Sequence, residues 1–148
     1  MVRFKNRYLL FEITWEDGKI LETLTDRIVN SNIKESIETN FGDYGAGIIA
    51  GSLSVKYFSP YTSVGILRVA RDHFHMVWAA ITFITSIQKR PCVVRVVHVA
   101  GTIKSVQNVA IKRGKEVLFQ LNKKGLLKEI RTQQLSQQVE TDVMALDL

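Results

Sequence analysis

A single cysteine, Cys92, leaves the chain without any internal disulfide, which suits a reducing compartment. Cys92 lies in an apolar run with no base beside it, so it reads as a buried side chain and not as a nucleophile. No apolar stretch approaches the roughly 18 residues of a membrane span. The longest, 76–87, is interrupted by Thr82, Thr85 and Ser86, and no membrane partner is expected. The start shows no charged-then-apolar leader. Neither a Walker loop nor a dinucleotide fingerprint is present. Histidine is scarce as well. His73 and His75 stand two apart at a helix start, where their side chains diverge, and zinc wants spacings of three or four on a helix with further ligands. His98 lies in an apolar strand and reads as a hydrogen-bonded core histidine. No paired carboxylates are placed for acid–base work. These absences exclude most catalytic chemistry, and no metal, cofactor or catalytic residue is expected on this chain.

What is present is a globular composition with an uneven charge. The 148 residues are 46% hydrophobic, enough to bury a core as one domain, and carry a net charge of +6. Residues 1–7 hold three basic residues and no acid; residues 8–43 hold three basic against eight acidic. Residues 44–131 hold fourteen basic against Asp72, Glu116 and Glu129, and residues 132–148 hold three acidic and no basic. A solvated surface normally mixes its signs. This distribution predicts a basic face for an anionic partner, such as nucleic acid or an acidic protein surface.

The pattern along the chain predicts six core elements. Residues 3–15 alternate as a strand, with Leu9, Phe11, Ile13 and Trp15 on one face. A helix is expected over 25–41, capped by Thr25 or Asp26 and ended by Gly42. Glycines 42, 45 and 47 then lead into a second strand, 47–58, and SPYT makes a turn to a third strand, 63–71. A second helix is expected over 72–87. The almost continuously apolar 92–99 reads as a central strand covered on both faces. Strand, helix, strand, strand, helix, strand is the split βαβ order. It predicts an α+β, ferredoxin-like (βαββαβ) four-stranded antiparallel sheet with two helices on one face. A third helix should follow over 103–121, with Gly114 a kink or an end. The expected organisation is a domain over 1–121 and a polar C-terminal helix or mobile tail over 122–148. The second sheet face is half apolar, and Leu10, Ile48, Val64, Ile66, Val106 and Ala110 are candidate protein-interface residues there.

Cations interleaved with aromatic residues point to nucleic acid. Arg3, Lys5 and Arg7 share one side of the first strand, where three like charges repel unless an anion is near. Arg68 and Arg71 flank the end of the third strand, Lys56 and Arg95 lie on the second and fourth, and Lys112 and Arg113 on the third helix. Tyr8 and Tyr61 stand among them, and rings can stack unpaired bases. The third strand, SVGILRVAR, lacks the aromatic signature of base-reading RRM sheets, so shape and phosphate contacts are expected. In HVAGTIK (98–104) Gly101 turns the chain, Thr102 can cap a helix and Lys104 sits in its first turn. Free N–H groups there bind phosphate well; the same spacing also makes an ordinary strand–glycine–cap junction.

MVRFKNRYLL, YFSPYT, the G-x-x-R of Gly65 to Arg68, VW-A at 77–79, FIT at 83–85, PC at 91–92 and HVAGTIK together resemble the Pop-five family of ribonuclease P and ribonuclease MRP protein subunits, of eukaryotic type, over 1–113. The resemblance implies an RNA-binding, non-catalytic subunit of an enzyme whose active site, with Mg²⁺, is in its RNA. That enzyme matures the 5′ ends of precursor tRNA; the MRP form processes precursor rRNA. The implied partners are the catalytic RNA, precursor tRNA, a TIM-barrel protein subunit and a second small ferredoxin-like subunit, in the nucleus and nucleolus. Arg3, Lys5, Arg7, the 68–71 segment and HVAGTIK become implied RNA contacts. A protein–protein adapter without RNA contact is the competing reading. An acylphosphatase-like enzyme is disfavoured, because the loop after the first strand, EDGKILE, is acidic.

Overall fold

The computed structural model describes residues 5–19, 21–123 and 129–146. Arg3 lies outside them. Five strands and four helices follow in the order β1 (Asn6–Trp15), α1 (Asp26–Ile49), β2 (Ser54–Ser59), β3 (Val64–Ala70), α2 (Phe74–Thr82), β4 (Ser86–Ile87), β5 (Arg90–Ala100), α3 (Ile103–Lys123) and α4 (Glu129–Met144), with a 3₁₀ turn, Arg71–His73, ahead of α2. The sheet is antiparallel throughout, in the order β2-β3-β1-β5-β4.

β1 is the central strand. Six consecutive residues, Tyr8 to Ile13, are buried because both faces are covered. Leu9, Phe11, Ile13 and Trp15 point into a core shared with Val29, Ile33 and Ile37 of α1 and Val77, Ala80 and Ile81 of α2. Tyr8 and Leu10 point the other way, into a second core with Val64, Ile66, Val106, Ala110 and Leu118. Burying each such apolar side chain contributes about 1.5–3 kcal/mol against its ordering cost. The central place expected for 92–99 therefore belongs to β1. β5 alternates instead, with Val93 62% and Val97 36% exposed. An unbroken run of β-branched residues suits a half-covered pleat as well as a buried one.

Three boundaries differ from the pattern reading. Gly42 takes φ 70°, which bends α1 without ending it, and the helix resumes to Ile49. Residues 47–49 are thus helical, and β2 starts only at Ser54. Ile48 packs against the α1/α2 core, not on the second sheet face, which corrects its expected interface role. Helix α2 stops at Thr82, since Ser86 and Ile87 form β4. Gln88 and Lys89 both adopt positive φ, the geometry of a tight two-residue hairpin, and pair Ile87 with Arg90. The sheet has five strands rather than four because of this hairpin, whose turn lacks the usual Asn-Gly signal. Finally, α3 runs unbroken through Gly114, where the missing side chain lets Val139 of α4 approach.

The second sheet face is covered from within the chain. Leu135, Val139 and Val143 of α4 join the second core. Leu10, Val64, Ile66, Val106 and Ala110 have at most 1% of their surface exposed, so they are core residues and not the partner interface expected of them. Gln107 of α3 is buried, and its Nε2 donates to the carbonyl oxygens of Val143 (3.1 Å) and Leu146 (3.3 Å). Those carbonyls lie at the end of α4, where helical partners run out. Among the described residues no helix is long and apolar enough to cross a membrane.

Candidate nucleic-acid interface

Strand register gathers the basic residues. Asn6 pairs with Ala70, and Tyr8 pairs with both Arg68 and Ala100. The start of β1, the end of β3 and the end of β5 therefore meet at one end of the sheet. The Arg71 N–H donates to the Lys5 carbonyl at 2.9 Å, which fastens the chain there. Lys5, Arg7, Arg68, Arg71, Gly101, Thr102 and Lys104 converge on this end. A Cβ on Gly101 would lie 3.5 Å from Nη1 of Arg7, so the turn runs close beside that guanidinium. Thr102 caps α3, its Oγ1 accepting from the Ser105 N–H at 3.3 Å. The N–H groups of Ile103 and Lys104 have no acceptor one turn earlier in the helix.

Basic residues are concentrated at this end, where Asp72 of the 3₁₀ turn is the neighbouring acid. Among the described residues, Lys5, Arg7, Arg68, Arg71 and Lys104 have no carboxylate within ion-pair distance. Lys5, Arg71, Gly101, Thr102 and Lys104 are exposed, and Arg7 and Arg68 half-buried. The acidic loop after β1, with Glu16, Asp17 and Glu22, lies at the opposite end of β1. Unpaired cations on one rim raise the local positive potential and draw in a polyanion.

Other expected contacts are placed elsewhere. Tyr8 is 6% exposed in the second core and offers no stacking surface. Tyr61 sits in the β2–β3 turn, at the far end, where Arg131 lies over its ring at 5.3 Å and donates to its hydroxyl at 3.3 Å. Lys56 is half-buried in a bulge of the outer strand β2. Lys112 is exposed on α3, about 12 Å along the helix from Lys104.

Arg95 and Arg113 bind a carboxylate of this chain. Glu12, on β1, is only 6% exposed. Arg113 Nε donates to its Oε2 at 2.7 Å and Nη2 to its Oε1 at 3.0 Å, while Nη1 reaches Glu116 at 3.3 Å. Arg95 Nε donates to Oε1 at 3.0 Å. Burial is the largest single influence on the Glu12 carboxyl and acts to raise it. The hydrogen bonds from Arg113 and Arg95, with their charges, outweigh burial and hold it below the usual range. Bonding to Glu12 raises Arg113 in turn. The triad clamps α3 to the sheet, so Arg113 is not a free phosphate ligand. Sequence reading missed Glu12; the signal was a lone carboxylate inside an apolar strand.

His98 is half-buried with Nε2 unpartnered among the described residues, contrary to the bonded histidine expected. The Cys92 thiol is buried, and burial pushes it above its ordinary value. Among the described residues no group of three or more His, Cys, Asp or Glu side chains is disposed to hold a metal ion.

Fold and surface together define a small mixed scaffold of helices and sheet that gathers a cluster of unpaired cations at one end of the sheet. A model of the Rpp14/Pop5 family matches residues 7–111. The ribonuclease P/MRP protein subunit POP5 of Schizosaccharomyces pombe is 43% identical over 131 residues, covering 82% of this chain and 94% of that protein. POP5 of Homo sapiens is 34% identical over 123 residues, covering 80% and 76%. The chain belongs to the Rpp14/Pop5 family. A chain in the cryo-EM structure of yeast ribonuclease MRP shares the fold with a TM-score of 0.54 at 12% identity, covering 70% of this chain and 79% of that one.

Proposed function

We propose that this chain is a non-catalytic protein subunit of ribonuclease P and ribonuclease MRP, and that its basic end contacts their RNA. The observation that carries the RNA contact is the convergence of five unpaired cations with the capped start of α3. The family membership and the names of the relatives support the assembly. Without the two-residue β4, the strand order is that of a ferredoxin-like sheet, and we read the fold as ferredoxin-like with one added short strand and an α3–α4 cover.

On this reading the chain supports an RNA that cleaves precursor tRNA at its 5′ end and, in the MRP form, processes precursor rRNA, in the nucleus and nucleolus. A TIM-barrel subunit and a second small ferredoxin-like subunit are its proposed neighbours. The basic end repels divalent cations, so the Mg²⁺ implied by the family belongs with the RNA. The test is a mild-salt pull-down of the tagged chain from its own cells, with the bound RNA sequenced. Enrichment of ribonuclease P or MRP RNA, with precursor-tRNA cleavage in the eluate, is expected. Protein partners without either RNA would overturn the RNA reading in favour of an adapter.

A further inference from the structure

The two edges of the sheet are unlike. β2 has features that protect an edge: it is only six residues long and carries Lys56. α1 packs beside it, and Leu135 and Val139 of α4 share a cavity with its Tyr57 and Phe58. The other edge is open. β4 pairs only with Arg90 and Pro91, and β5 beyond Cys92 pairs among the described residues with β1 alone. Seven residues, 93–99, thus have no strand on their outer side, a row about 23 Å long that a bulge at Val97 interrupts, where Leu10 pairs with His98 and Phe11 with Val96. Val93 is 62% and Val97 36% exposed on this row. Arg95 stands between them with 62% of its side chain exposed, held in place by Glu12.

We propose that the outer edge of β5 receives an extended strand from another protein subunit, with apolar side chains over Val93 and Val97 and a carboxylate beside Arg95. This rests on the proposal above that the chain sits in an assembly. A row of alternating N–H and C=O groups complements a polypeptide backbone, whereas RNA offers phosphate and base edges and no apolar side chains for the valines. A second copy of this chain fits poorly. The symmetric pairing that sets Val93 against Val97 centres on residue 95 and places two Arg95 side chains opposite each other, a like-charge pair. One strand of this length buries less than the roughly 1,200 Å² of a stable stand-alone interface. It suits a segment already tethered nearby, where effective concentration is high.

The test places a photo-crosslinking amino acid at Val93, or at Lys104, in the full chain expressed in its own cells. The purified complex is then irradiated and the adducts identified. The expected result is a peptide of one other protein subunit joined to position 93 and RNA joined to position 104. RNA or a second copy joined at 93 would overturn the strand proposal, as would no adduct at 93 while 104 reacts. A chain that co-purifies with neither RNA nor other subunits overturns the functional reading itself. Val93→Lys, at an exposed position, gives a second measurement. It should lower retention of that subunit about tenfold while RNA retention and the unfolding temperature stay unchanged; equal retention would count against the strand.

Discussion

Gly65 lies under the ring of Phe11, and a Cβ there would come 2.4 Å from Cζ of that ring. Phe11 is fully buried on the central strand and has nowhere to retreat. Gly65→Ala should cost about 1–3 kcal/mol, the usual penalty of overpacking, read as a lower urea midpoint with no change in m-value. Glu12 sets a second expectation at this scale. Its carboxyl is held below the ordinary range when folded, so its contribution is present above the unfolded pKa of about 4.3 and is lost as pH falls through the lowered folded value. Glu12→Gln should destabilise by about 1–3 kcal/mol at pH 7, less than a fully buried pair because Arg95 stays largely in water. Unfolding free energies from pH 7 down to pH 3 should converge for the two proteins. A constant gap would show that the triad is not the acid-sensitive element.

At the scale of elements, the α3–α4 hairpin decides whether the second sheet face is core or surface. α4 brings three buried apolar side chains, an ion pair from Lys115 to Glu140 at 2.8 Å and the Gln107 contacts at its end. Gln107→Ala leaves the Val143 and Leu146 carbonyls without that donor, which should cost about 1–2 kcal/mol. Amide exchange should accelerate first in the last two turns of α4, while β1 keeps its protection. Uniform acceleration across the sheet would mean that α4 and the sheet open as one unit. The same hairpin explains why an apolar face that looked available to partners in the sequence is closed.

For the whole molecule, the separation of charge matters more than any one cation. Exchanging Arg71 or Lys104 for Gln should weaken binding to ribonuclease P or MRP RNA and lower the salt slope by about one unit each. Lys112→Gln, away from the basic end, should leave the slope unchanged. If all three variants behave alike, the contact is diffuse and the convergence at the end of the sheet has no special role. Binding titrations from 50 to 200 mM salt, with folding checked by circular dichroism, distinguish these outcomes.

Sequence by itself determined the α+β element order, the core-facing set Leu9, Phe11, Ile13 and Trp15 of β1, and the family, because these depend on local periodicity and on motifs such as HVAGTIK. It also marked Lys5, Arg7, Arg68, Arg71 and Lys104 as candidates. Only the tertiary structure decided which cations are unpaired. Ion pairing joins residues as far apart as Glu12 and Arg113, a separation that no local spacing encodes. Tertiary packing likewise withdrew Tyr8 and Ile66 into a core, since burial depends on where α4 returns over the sheet. It produced the fifth strand from two residues with positive φ. And it left β5 half bare, because a run of valines has the same pattern whether one face is covered or two.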